Sequence, residues 1–197
     1  MNLGTKSVLF GAHCFFIHPW FAALGWWRLY GFPWDPRLWL MFFVHDLGYW
    51  GKAHMDDEEG ERHPEWGARV MARFCDTDVG QHITFGHWYR MSLYHSRFLA
   101  KRHGVQPSKF CAADKLAICF EPWWLYLPRV MLTGEILEYM ADSKYVEEGR
   151  VLDKGARLWH ASMVKFLRDE WIPQNQSGGP DTLTSAERVS GDDGVWR

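Results

Sequence analysis

Apolar residues recur along this chain at the spacing of helices, and no stretch alternates apolar and polar residues over the length of a strand. That pattern constrains the fold most. Helices with one apolar face have only each other to pack against, so the expected fold class is all-α, a helical bundle. Residues 7–30 read as a first helix, bent near Pro19. Residues 31–36 are turn-rich, with Asp35 placed to cap a helix that starts at Pro36 and runs to about Trp50. Residues 51–63 read as a polar loop carrying Asp56, Asp57, Glu58, Glu59 and Glu61, and Pro64 opens the next helix. An amphipathic stretch covers about 79–103 and ends at Gly104. The helix after Pro107 and Ser108 carries Asp114, residues 121–128 read as an aromatic connector between two prolines, and helices are expected over roughly 129–141 and 145–170.

A length of 197 residues suits one domain, expected over 1–172. Residues 173–197 are polar and rich in Gly and Ser, with almost nothing to bury, and read as a disordered tail dispensable for chemistry. The chain holds 13 Trp, which need large core or interface surfaces. A formal net charge of -2 gives no basic footprint and argues against binding long nucleic acid. Cys14, Cys75, Cys111 and Cys119 form no C-x-x-C pair and read as buried thiols of a reducing, cytoplasmic location. No signal peptide is expected, and His13, His18 and Pro19 interrupt the one run long enough to span a membrane. The Trp content leaves contact with a membrane interface open as a lesser reading.

The chemistry-bearing residues stand apart from this pattern. Val44-His45-Asp46-Leu47-Gly48 closes an apolar helix. His18 lies 27 residues upstream, room for a helix, a turn and an antiparallel return, with His13 as the other candidate. Downstream come His63, His95 and Asp114, each on or beside a different expected helix, the way metal sites in bundle cores are assembled. Mixed imidazole and carboxylate ligands suit Mn, Fe, Co, Ni or Zn rather than Ca.

The order His, His-Asp, His, His, Asp, with the segments HDLG, HPEWGA and ADKLA, resembles the HD superfamily of metal-dependent phosphohydrolases over roughly residues 10–121. The resemblance implies an HD-like bundle in which His18, His45, Asp46 and Asp114 hold one divalent transition metal. Asp46 would bridge to a second metal held by His63 and His95, and would be the central catalytic residue. Two metals can clamp a phosphate and activate a water between them. The implied activity is hydrolysis of a phosphate ester or anhydride in a small substrate such as a nucleotide. The same six ligands in some members of the superfamily activate O2, so a di-iron oxygenase is one alternative, and a binding protein that keeps the fold is another.

Lys52, Arg97 and Lys115 are the candidate cations for a substrate phosphate, Arg97 as a bidentate fork. A member of the acidic cluster can serve as general acid. His87, eight residues before His95, is expected as an alternative ligand or a supporting partner, and His54, His82, His103 and His160 as surface or loop residues. Tyr49 stands where some nucleotide-cleaving HD enzymes carry Glu, and the Gly-Tyr-Pro motif of the cyclic-dinucleotide branch is missing after His95. Both departures weaken the transfer of those branches' mechanisms and substrates to this chain.

Overall fold

Capping residues and prolines fix most helix boundaries. In a computed structural model the chain is described for residues 1–76, 86–141, 143–144, 146–147, 150–151 and 154–175. The first expected helix is two: α1 (Leu3–Phe10) and α2 (His18–Tyr30), separated by a turn. Pro19 lies in the first turn of α2, where its missing N–H costs nothing, so it starts a helix instead of bending one. Asp35 caps α3 (Pro36–Val44) by accepting from the Arg37 N–H at 2.9 Å. That helix stops short of Trp50. His45 and Asp46 follow its last turn, and Leu47–Tyr49 form a tight 3-10 turn.

The expected loop over 51–63 contains a short helix, α4 (Glu58–Glu61), because the Asp57 carboxylate accepts from the Gly60 N–H at 2.6 Å. Then come α5 (Pro64–Cys75), α6 (His87–Leu93), α7 (Arg97–Arg102), α8 (Lys109–Phe120) and α9 (Trp123–Thr133). The amphipathic stretch is broken at Tyr94, where the Ser96 hydroxyl caps a new helix by accepting from the Leu99 N–H. Its first part, 79–85, lies outside the described residues. Residues 121–128 are mostly helix, since Pro128 sits inside α9 at a helix position that carries the chain on to Thr133. Gly134, with φ at +87°, separates α9 from α10 (Ile136–Tyr139). The helix expected from 145 begins only at Gly155. Before it, β1 (Val146–Glu147) and β2 (Arg150–Val151) form a two-residue antiparallel pair, a detail within an otherwise all-α fold. α11 (Gly155–Phe166) continues through a widened turn, Leu167–Trp171, into α12 (Ile172–Asn175). The tail expected from 173 starts later, because residues 173–175 belong to α12, and 176–197 lie outside the described residues.

The two largest apolar clusters hold most of the helices. Trp26, Met41, Phe42, Met71, Trp88, Met91, Phe110 and Ala113 join α2, α3, α5, α6 and α8. Tyr126, Leu127, Val130, Ile136, Met140 and Trp159 join α9, α10 and α11. Burying a side chain such as Phe42 contributes about 1.5–3 kcal/mol, so the first core supplies a rigid frame whose helix ends converge on one point.

Candidate metal centre

Five of the six expected ligands sit at helix ends. His18 begins α2, His45 and Asp46 follow α3, His63 precedes α5, and His95 lies in the turn between α6 and α7. Asp114 comes from the middle of α8. Their ligand atoms fall into two groups, one of His18, His45, Asp46 and Asp114, the other of Asp46, His63 and His95, each with all atoms within 4.8 Å of one another. Asp46 belongs to both. Its Oδ2 is 2.9 Å from His45 Nε2 and 3.4 Å from His18 Nε2. Its Oδ1 is 3.3 Å from His63 Nε2 and 3.6 Å from His95 Nε2. Asp114 Oδ1 completes the first group, 2.9 Å from His18 Nε2 and 3.4 Å from His45 Nε2.

Three of the imidazoles are aimed by the same local device. The Nδ1–H of His45 donates to Phe42 O at 3.0 Å, that of His63 to Gly60 O at 2.9 Å, and that of His95 to Ser92 O at 2.5 Å. A carbonyl oxygen can only accept, so each Nδ1 carries a proton, and in its neutral form each ring offers a bare Nε2. The consequence is clearest between His63 and His95, whose Nε2 atoms face each other at 3.2 Å. Two lone pairs at that distance repel, and burial lowers the His63 pKa to about 4, which disfavours a proton between them. His45 Nε2 and Asp46 Oδ2 are buried and have no hydrogen-bond partner among the described residues. Such groups are expensive unless a cation coordinates them.

The charges agree. Burial opposes the ionisation of Asp46, but the imidazoles of His45, His13 and His63 outweigh it and hold its carboxyl well below the usual range. Asp114 is held low in the same way, burial being overcome by His18 and His45. Burial would likewise lower His45, but Asp46 and Asp114 prevail and raise it to about 10. Two adjacent carboxylates thus draw a positive charge to this point.

Two glycines make the convergence possible. A Cβ on Gly48 would run into the His63 carbonyl, and one on Gly67 would lie 2.8 Å from Val44 O and 2.9 Å from His45 Cα. The glycines of HDLG and HPEWGA therefore permit backbone contact between the segments that carry the ligands. Tyr49 stacks on His63, with ring centroids 3.7 Å apart and planes 16° from parallel. Phe110 packs edge-on against His45 at 4.8 Å.

The other expected residues divide. Lys115 Nζ lies 3.9 Å from Asp114 Oδ2. Lys52 is paired with Glu59 at 2.8 Å, and Arg97 sits over the Trp171 ring at 5.6 Å. His13 stays outside both ligand groups: its Nδ1 is 2.9 Å from Ser7 Oγ, and burial lowers its pKa to about 3. His87 is exposed at the start of α6, because that helix ends before His95 and the eight-residue helical register between the two rings does not exist. His54 and His103 are exposed, and His82 lies outside the described residues. His160 is a correction: it is buried on α11 beside Tyr126, since the helix expected there turns this face inward. The chain's own spacing gave no sign of the aiming carbonyls or of the Tyr49–His63 stack. A cleft of about 700 Å³ opens beside His63, lined in part by Trp50, Lys52, Arg62 and Trp66.

No family model, no curated protein and no solved structure matches this chain. What is established is an all-α fold with buried His and Asp groups able to hold metal.

Proposed function

We propose that the chain is an HD-type phosphohydrolase that uses two divalent transition metals to cleave a phosphate ester or anhydride in a small substrate such as a nucleotide. The single observation that carries this reading is Asp46, whose two oxygens face two separate sets of imidazole nitrogens. Metal ions in such a pair supply Lewis acidity toward phosphate and a water of lowered pKa. The chain's residues supply the rest. Asp46 fixes the spacing between the two sets. The carbonyls of Phe42, Gly60 and Ser92 keep three rings in register. Lys115, beside Asp114, is the cation placed to offset charge on the substrate phosphate. Burial raises the Asp56 carboxyl, which suits it to hold a proton for a leaving group. The cleft beside His63 has the volume of a small-molecule site.

The test is metal analysis of the purified chain, followed by turnover of a nucleotide panel with Mn, Fe, Co, Ni or Zn. The expected result is about two metals per chain and phosphate release that Asp46→Ala abolishes together with metal content. His63→Ala or His95→Ala should lower the stoichiometry toward one. Wild-type metal content and turnover in Asp46→Ala would overturn the reading. A mixed-valent iron pair without phosphate release would transfer the site to oxygen chemistry.

A further inference from the structure

Six exposed large apolar side chains lie close together in sequence, from Phe16 to Trp34. Phe16 is 71% exposed, Trp20 54%, Leu24 39%, Trp27 53%, Phe32 41% and Trp34 84%. Trp20, Leu24 and Trp27 follow one another at spacings of four and three residues, which places them on one face of α2. The buried positions Ala22, Ala23 and Trp26 point into the core. Ring contacts carry the strip onward at both ends. Trp20 meets Phe43 at 5.8 Å, Phe43 meets Phe15 at 5.4 Å, and Phe15 meets Phe16 at 5.2 Å. At the other end Trp27 meets Phe32 at 5.4 Å, and Phe32 meets Trp34 at 4.4 Å.

Along the sequence, the charge up to Trp34 has one sign. All 24 acidic residues of the chain follow Trp34, and Lys6 and Arg28 are the only Lys or Arg before it. Arg28 is exposed next to Trp27. The nearest carboxylate in sequence, Asp35, is already held by Arg37 at 2.7 Å.

A contiguous exposed apolar strip marks a contact surface, and its chemistry discriminates between occupants. A second copy meeting it across a two-fold axis would bring the same patch against itself, basic residues included, with no free carboxylate to answer them. An anionic lipid surface offers the missing negative charge and an apolar layer just beneath it. Five of the six side chains are aromatic, and Trp, with its apolar body and polar edge, settles at the headgroup level. Among the described residues no helix is long and apolar enough to cross a membrane, so such contact lies on the surface.

We propose that this strip, from Phe16 to Trp34, docks the chain onto the headgroup region of an anionic lipid bilayer. The inference is independent of the phosphohydrolase reading. It places the metal centre near the membrane, because His18 heads the same helix, 13 residues or about 20 Å long.

The experiment is co-sedimentation of the full chain with vesicles of phosphatidylcholine alone and with phosphatidylglycerol added, read also by Trp emission. Binding with a blue shift, stronger on the anionic vesicles, is expected. Trp27→Ser and Trp34→Ser should each weaken it roughly tenfold, with circular dichroism and metal content unchanged. No binding to anionic vesicles, or binding that the double variant leaves intact, overturns the proposal. A dimer that the double variant splits, in a chain that ignores vesicles, assigns the strip to self-association instead.

Discussion

Among the described residues, buried carboxylates occur in two regions and are handled in opposite ways. Near α9 the buried carboxylates are answered by the chain. Glu135, fully buried, accepts from the Ala12 N–H at 2.6 Å, the Thr133 hydroxyl at 2.9 Å and the Tyr139 hydroxyl at 3.2 Å. Glu121 is paired with Arg129, which also donates to the carbonyls of Gly11 and Leu125. At the ends of α2, α3 and α5 the reverse holds. His45 Nε2 and Asp46 Oδ2 have no hydrogen-bond partner, and His63 and His95 present lone pairs to each other. The first region spends buried polarity on the fold. The second leaves it open toward something absent from the chain itself, and that difference separates structural from ligand-binding polarity better than burial alone.

The comparison can be broken at several points. The largest effect is expected for Glu121→Ala, which strips the counter-charge from a nearly buried Arg129. It should cost about 3–5 kcal/mol in denaturant unfolding while leaving metal content of the folded protein unchanged. Glu135→Ala strands three donors and should cost about 2 kcal/mol, again without loss of metal. For Asp46→Ala the contrast lies in the metal: the variant should stay helical by circular dichroism but lose the metal that wild type holds. Added metal should raise the melting temperature of wild type and not of this variant. Wild-type metal content in Asp46→Ala, or metal lost from Glu121→Ala, would erase the distinction between the two regions.

The smallest effect concerns His160, a buried ring on α11 whose Nε2 has no hydrogen-bond partner among the described residues. Burial lowers its pKa from 6.5. The folded chain therefore refuses a proton that the unfolded chain accepts. Its contribution is present above pH 6.5 and is lost as the pH falls below that value. His160→Phe should flatten that part of the stability profile, and an unchanged slope would refute the assignment. This lone ring also sharpens the comparison: one unpartnered nitrogen is not a site, whereas several converging on two carboxylates are.

The ligands were legible in the sequence because metal chemistry restricts residue type. His18, His45, Asp46, His63, His95 and Asp114 interrupt apolar segments that have no other use for them, and the structure brings all six together. Helix boundaries were legible where a cap marks them, as at Asp35. Proline misleads twice: Pro19 reads as a bend inside one helix but starts a second, and Pro128 reads as the end of a connector but lies inside α9. His87 was misread because periodicity was extended across Tyr94, where the chain turns. The backbone acceptors that orient the rings left no trace, because any residue supplies a carbonyl.

Those acceptors have a further consequence. Each lies three residues upstream of the ring it holds, within the same local turn. Orientation is therefore encoded segment by segment, before the segments meet, and the assembled pocket needs no rotamer search when an ion arrives. A receptor of that kind is a template of fixed dimensions: it discriminates among ions by radius and preferred bond angle, and it releases one only when a whole segment swings away.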